Sequence, residues 1–317
     1  MLSYAALARR PAAFRAAIGM GPDEFDALLD DFTAAQADRR RAATRTKRGA
    51  PRRRAPGGGH PHALDDRHRL LLALTWLRLY PTYEVLGLLF GLDKGNARRN
   101  AEDVLETLAA MGTFPFERPP AERRRLGTVG AVMDAFPQVR LVVDAKEQRV
   151  ERPRGEARQR PFYSGKKRCH TLKTQVAVTP DGRIAALSPS VPGGAWHDLA
   201  LLRRTGLLDH LDGAADEGAM LDKGYTGVRA YYPGLPLFVP AMRRWHRALT
   251  AEQAEEARWI ARYRIVVEHA LAQLARYQAL RQVWRSTVDR HSRAIRAAAV
   301  LVERRARVVP LKTYTAA

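Results

Sequence analysis

Three acidic residues in this chain each follow an apolar triplet: Asp144 comes after Leu141-Val142-Val143, Asp222 after Ala219-Met220-Leu221, and Glu268 after Ile265-Val266-Val267. An ionised carboxylate at the edge of an apolar run is costly unless something pairs with it. Taken singly, each acid reads as a turn cap or a salt-bridge partner. Brought together, three carboxylates would repel and desolvate one another, and a hard divalent cation is the usual remedy. All-oxygen ligands, with no thiolates or imidazoles at zinc spacing, suit Mg2+ or Mn2+. Two such ions support phosphoryl transfer without a Ser or His nucleophile, because they activate the attacking oxygen and stabilise the leaving one.

Further polar clusters surround these acids in the sequence. Lys223 stands beside Asp222, where it could hold a phosphate, and Arg264 lies one turn before Glu268, a spacing that also makes an ordinary i,i+4 pair on a helix surface. Tyr163-Ser164-Gly165 leads into Lys166, Lys167 and Arg168, with His170 and Lys173 close behind. This cation set suits phosphates and equally suits a solvated hairpin. In Gly194-Ala195-Trp196-His197-Asp198, the Asp reads first as a helix N-cap, with a supporting role for His197 and Asp198 at the site as the alternative. No glycine-rich loop of the G-x-x-x-x-G-K-[ST] kind occurs, so nucleotide-driven chemistry is not indicated.

Two of the apolar triplets are strand-like, which places Asp144 and Asp222 at strand ends, where open α/β sheets commonly carry their sites. The third lies on a helix. Thr250-Ala251-Glu252-Gln253 has capping-box spacing and starts a helix expected to run to about Tyr277. Ile260, Tyr263, Val267, Leu271 and Leu274 form its core stripe, and Glu268 lies at the edge of that stripe. Around these elements, HTLKTQVAVTPDGRIAALSPSV reads as two strands joined at Pro180-Asp181-Gly182, HDLALLRRTGLLDHL as a helix, and GAML as a short buried strand. A mixed α/β sheet covered by helices is the expected architecture for residues 125–310.

The first part of the chain has a different character. Residues 1–38 show helical periodicity, and 39–64 form a Pro- and Gly-containing segment dense in Arg that is expected to be a mobile linker able to touch phosphates. Residues 65–115 divide into a helix to about Tyr80, a helix from Thr82 to Phe90, a tight turn at Gly91-Leu92, and a third helix capped by Asp93. That outline fits a helix-turn-helix, and it also fits a small bundle with a basic face. Lys94, Asn96, Arg98 and Arg99 supply the long polar side chains a major-groove reader needs.

Composition agrees with a polyanionic partner. Fifty-four Lys and Arg against 33 Asp and Glu leave a formal charge of +21, part of which reflects an Ala-, Arg-, Gly- and Pro-rich usage of high-GC character. The single cysteine, Cys169, excludes a disulfide framework and argues against structural zinc. No apolar run approaches the length of a membrane span, so a soluble cytoplasmic protein is expected.

Several stretches in fixed order resemble the DDE transposases of the insertion sequence 5 group, relatives of the Harbinger-like endonucleases: LVVDAKEQRVERP, QRPFYSGKKRCHTLKTQVAV, PGGAWHDLALLRRTGLLD, LDKGYTG and LTAEQAEEARWIARYRIVVEHALAQL, together with the helix-turn-helix before them. The resemblance spans about residues 65–305. It implies an RNase H-like catalytic domain with Asp144, Asp222 and Glu268 as an acidic triad holding two Mg2+ or Mn2+ ions. It also implies double-stranded DNA as partner, both as terminal inverted repeats and as target, a homodimer on that DNA, and a place at the bacterial nucleoid. Gly194 through Asp198 match the family's Gly-x-x-His-Asp element, and Arg264 matches its Arg four residues before the Glu. Ala261 and Ala275 stand where the family often has Tyr and Lys, which leaves open a DNA-binding protein that has lost catalysis. A phosphatase of the haloacid dehalogenase type would need a second Asp where Lys146 stands.

Overall fold

The computed structural model describes residues 2–48, 63–112, 139–208, 211, 218–241 and 248–308. The Gly- and Pro-containing part of the expected linker, the Pro-rich break after the third helix and the GAVMDAFPQ stretch lie outside these. The chain divides into two compact units, one comprising residues 1–113, 275–282 and 293–300, the other 114–274, 283–292 and 301–317.

The first unit is helical. Its elements are α1 (Tyr4–Ala8), α2 (Pro11–Ile18), α3 (Pro22–Arg48), α4 (Asp66–Leu79), α5 (Tyr83–Phe90) and α6 (Lys94–Ala110). Three side chains that can accept hydrogen bonds start the last three helices, as their types predict: Asp65, Thr82 and Asp93 each bond the backbone N–H three residues on. Gly91 closes α5 in the left-handed conformation. Gly87 has to be a glycine for a different reason: a Cβ there would sit 2.4 Å from the Leu92 carbonyl oxygen, so only a bare backbone lets α5 meet the turn so closely.

Composition alone places the end of the first helical segment near residue 38, yet α3 continues through Arg48. Tertiary pairing explains the difference, since Arg39 donates to Asp103 at 3.1 Å and pairs with Glu106 at 2.9 Å. Asp103 on α6 also accepts from Gln36 at 2.9 Å and pairs with Arg69, whose side chain is 1% exposed. One carboxylate thus ties α3, α4 and α6 together. Burial pushes its pKa up, but Gln36, Arg69 and Arg39 outweigh that and leave it below the usual Asp value.

The second unit is built on a mixed sheet. Its strands are β1 (Val139–Arg149), β2 (Tyr163–Ser164), β3 (Cys169–Val178), β4 (Ile184–Leu187), β5 (Val191–Pro192), β6 (Gly218–Leu221) and β7 (Leu237–Phe238). The path through the sheet runs β2-β3-β1-β6-β7, and β4 and β5 also pair with β3. β1 runs antiparallel to β3 and parallel to β6, and β6 runs parallel to β7. Helices α7 (Glu156–Gln159), α8 (Asp198–Thr205), α9 (Ala251–Ala275) and α10 (Val288–Val308) accompany it, which is the α/β arrangement of an RNase H-like domain. Leu141, Val143, Ala177, Leu202, Leu208, Ala219, Leu221, Tyr225 and Val228 pack in one buried cluster. The capping box at α9 forms in both directions, with Thr250 N–H donating to Gln253 Oε1 at 3.1 Å and Gln253 N–H to Thr250 Oγ1 at 3.2 Å. Of its expected stripe, Ile260, Val267 and Leu274 are fully buried and Leu271 half-buried, and the Tyr263 side chain lies outside the described residues.

Strand β1 departs from the expected pattern. It is one 11-residue strand, so Asp144 sits in its middle rather than at its end. Antiparallel pairing with β3 continues to Arg149 after the parallel ladder with β6 has stopped at Val143, and this carries the strand past the acid. Alternation along β1 puts Asp144, Lys146 and Gln148 on one face. There the buried His291 of α10 lies between Ser190 Oγ, 2.7 Å from Nδ1, and Gln148 Oε1, 3.0 Å from Nε2. Because Gln148 Oε1 can only accept, the ring is the neutral tautomer carrying its proton on Nε2.

Burial, reinforced by Lys146, drives the His291 pKa down to about 3. Below the ordinary His value the unfolded chain takes up a proton that the folded ring refuses, so stability is lost as pH falls from about 6.5 towards 3. The expected loss approaches about 1.4 kcal/mol per pH unit once the unfolded ring is protonated. Urea midpoints measured between pH 7 and 5 should fall for the wild type and stay flatter for His291→Gln.

Candidate active site

The parallel ladder between β1 and β6 pairs Val142 with Met220 and Val143 with Leu221. The next residue on each strand is an aspartate. In-register parallel strands present successive residues to the same face, so Asp144 and Asp222 emerge side by side. Arg264 of α9 bridges them, with Nη2 donating to Asp144 Oδ2 at 2.9 Å and Nη1 to Asp222 Oδ1 at 3.0 Å. The three side chains are 20%, 17% and 28% exposed, respectively, so this contact is partly withdrawn from water. Arg264 is therefore not spent on an i,i+4 pair with Glu268. Its geometry is the two-pronged guanidinium–carboxylate match that lysine cannot make.

The backbone supports each acid individually. Asp144 Oδ1 accepts from the N–H of Ala145 at 2.8 Å, and Asp222 Oδ1 accepts from the N–H of Lys223 at 2.7 Å. Asp222 thus caps the 3-10 turn Lys223–Tyr225 while also sharing Arg264 with Asp144. Glu268 is exposed on α9, one turn beyond Arg264. Among the described residues, no three His, Cys, Asp or Glu side chains stand close enough to share an ion. The structure therefore joins two of the three expected acids directly and leaves the third on the same helix as the residue that bridges them.

A second cluster lies on the opposite face of β1 and β3. Lys173, whose side chain is 8% exposed, donates to Asp198 Oδ1 at 2.8 Å and to the Trp196 carbonyl at 2.9 Å, and lies 3.7 Å from Glu147 Oε1. Gln175 donates from Nε2 to the Asp198 carbonyl at 2.7 Å and to the Tyr225 hydroxyl at 3.0 Å. Strand β3 thus holds both the start of α8 and the turn that follows Asp222. Burial raises the Tyr225 pKa well above its usual value, and the nearby charges of Asp198, Asp144 and Asp222 add to the effect. Asp198 also explains Gly224: a Cβ on that residue would stand 2.5 Å from Asp198 Oδ2. The glycine is needed for room, and the turn itself does not demand its conformation.

These contacts correct two sequence expectations. Asp198 does not cap α8; His197 occupies the cap position, exposed and with no side-chain cap bond, while Asp198 is the first helical residue and pairs with Lys173. Lys173 does not join the hairpin cations. Its position between Thr171 and Gln175 on alternate residues of a buried strand was the available signal, since polar residues alternating along such a strand need partners on one face. Lys166, Lys167 and Arg168 do form a solvated turn between β2 and β3, all three exposed, with Arg168 at φ 54°. Lys223 is likewise exposed, immediately after Asp222.

In the helical unit, Lys94, Asn96, Arg98 and Arg99 are all exposed over the first turns of α6. They are organised by neighbours: Lys94 pairs with Glu84, Asn96 with Asp93, Arg99 donates to Asn96 Oδ1 at 2.8 Å, and Arg98 lies 3.7 Å from Glu102. Asn100 is different, because its Oδ1 accepts from the buried Arg69 at 2.9 Å.

The chain thus carries a mixed sheet with two aspartates sharing one arginine, and a three-helix segment whose last helix is polar. The family model for the DDE superfamily endonuclease matches residues 143–303, and that for the helix-turn-helix of DDE superfamily endonuclease matches residues 62–114. The chain belongs to the DDE superfamily endonucleases. It is similar to a protein of Microchaete diplosiphon described as a probable transposase for insertion sequence element IS702, with 28% identity over 245 residues that cover 76% of this chain and 79% of that one. No solved structure matches. Among the described residues, no helix is long and apolar enough to cross a membrane.

The role of Lys173 can be checked without substrate. Lys173→Met leaves Glu147 and Asp198 with no counter-charge and should cost about 3 kcal/mol in chemical denaturation, whereas Lys166→Met on the exposed turn should change stability by less than about 0.5 kcal/mol.

Proposed function

We propose that this chain is a transposase of the insertion sequence 5 group that cuts DNA at the ends of a mobile element and joins the freed 3′-hydroxyl to target DNA. The observation that carries the reading is the register of β1 on β6, which sets Asp144 beside Asp222 at the point where the parallel ladder ends. The donor set fits a hard divalent cation, since two carboxylates already converge on a single cationic group. Asp144 and Asp222, with Glu268 of α9 as the third acid, would hold two Mg2+ or Mn2+ ions. When bound, the ions lower the pKa of the attacking hydroxyl and stabilise charge on the leaving 3′-oxygen.

The protein's own side chains supply position and charge. Lys223, next to Asp222, and the exposed Lys166, Lys167 and Arg168 offer cations for backbone phosphates of the strand being cut. Asp198 supports the turn after β6 through its close approach to Gly224, and His197, exposed just before it, would offer a polar side chain to the site. Lys94, Asn96, Arg98 and Arg99 would read the terminal inverted repeats from the first turns of α6. Two ends must be held together for transposition, so a homodimer on DNA at the bacterial nucleoid completes the proposal.

A second reading has an observation of its own. The exposure of Glu268, together with Ala261 and Ala275 where the family often has Tyr and Lys, fits a chain that binds DNA without cutting it. One assay separates the two. Wild type should nick element-end DNA in Mg2+, and Asp144→Asn should nick it at least about 100-fold more slowly while binding the same DNA, because loss of a ligand exceeds the 10- to 100-fold cost of losing a residue behind one. Equal nicking by both proteins would overturn the site assignment, and DNA binding with no Mg2+-dependent nicking by wild type would favour the second reading.

A further inference from the structure

Arg264 makes the same contacts that a metal ion between the two aspartates would need. Its guanidinium takes Oδ2 of Asp144 and Oδ1 of Asp222, one through each terminal nitrogen. An oxygen whose lone pairs are held by an N–H at 2.9–3.0 Å cannot also bind a cation of small radius along the same direction. Asp222 Oδ1 also accepts from the Lys223 N–H, and Asp144 Oδ1 from the Ala145 N–H, so both oxygens of Asp144 are engaged and Asp222 presents to Asp144 an oxygen already shared with Arg264. The guanidinium itself is incompletely satisfied: its Nε is buried and has no hydrogen-bond partner among the described residues. A buried donor left unpaired is costly, so this arrangement is held by the two aspartates rather than by the surroundings of Arg264.

We infer that Arg264 is a built-in counter-cation that holds Asp144 and Asp222 together and competes with the divalent ion for them, so that metal binding requires the guanidinium to leave. The inference rests on the metal-binding reading of the two aspartates. It adds that Arg264 sets the metal affinity: the arginine keeps adjacent carboxylates from repelling one another, and it lowers the apparent affinity by the free energy needed to displace it. Glu268 shares the helix with Arg264 one turn on and is exposed while Arg264 spans the aspartates, so the residue that departs and the third acid are carried by one element. This makes Arg264 a positioning residue whose effect is read in binding as well as in turnover.

The test uses the full chain after chelator treatment, with Mn2+ as the probe, and compares wild type, Arg264→Met, Arg264→Lys and Asp144→Asn by calorimetric titration and thermal melting. Without metal, Arg264→Met should melt below wild type, because two facing carboxylates lose the cation they share. On titration it should bind Mn2+ at least about tenfold more tightly than wild type and show the larger metal-induced rise in melting temperature. Arg264→Lys keeps the charge but not the two-pronged contact, and should fall between them. Mn2+ affinity that is equal or weaker in Arg264→Met overturns the inference while leaving the metal site standing. Mn2+ binding that Asp144→Asn leaves unchanged overturns the underlying site reading instead. If neither wild type nor Arg264→Met binds Mn2+, both fail; if only Arg264→Met binds it, the inference is upheld.

Discussion

The constraint on which the catalytic unit depends is the in-register parallel pairing of β1 with β6. Because Val143 faces Leu221 across that ladder, the residues that follow are forced to the same side of the sheet, and both are aspartates. A slip of one residue would send one acid to the opposite face, into the cluster of Leu141, Val143, Ala219 and Leu221. The apolar triplets therefore do more than fill a core. Their burial penalises any other register and so fixes the separation of two charges that the chain could not otherwise bring together.

Placing two carboxylates side by side creates an electrostatic cost that the fold meets from α9. Arg264 reaches both from a helix whose adjoining stripe of Ile260, Val267 and Leu274 is fully buried. Behind the sheet, Lys173 plays the matching part for Glu147 and Asp198, and Gln175 links Asp198 to Tyr225. The turn carrying Asp222 is thus held from both faces: by charge pairing with α9 on one, and by a buried polar network with β3 on the other. Gly224 leaves space within this network for the Asp198 carboxylate.

The helical unit repeats the pattern with different parts. Helix α6 presents Lys94, Asn96, Arg98 and Arg99 outward, while Asn100 and Asp103 turn inward to the buried Arg69. Polar residues on one short helix are thereby divided between a surface that can meet DNA and a scaffold that fixes the helix to α3 and α4. The same carboxylate, Asp103, recruits Arg39, so part of a segment that looks like basic linker in composition becomes helix.

Local chemistry was legible in the sequence wherever neighbours along the chain decide the outcome. Asp93 as a cap, the Thr250-Gln253 box, the Asp181-Gly182 turn and the helix-turn-helix outline all follow from side chains bonding backbone three residues away or from glycine's freedom at a turn. That Asp144 and Asp222 need a partner was legible too, because each charge stands straight after a buried triplet, whereas Glu268 follows a triplet that includes the exposed Ile265 and is itself exposed. What only the tertiary structure decided is which partner each charge takes. Asp144 lies mid-strand because β3 extends the ladder, Asp198 gives up its cap for Lys173, and Arg264 joins residues 120 and 42 positions away rather than its helical neighbour. Those choices depend on distances across the sheet and between layers, where a charge withdrawn from water selects the nearest opposite charge in space and sequence separation carries no weight.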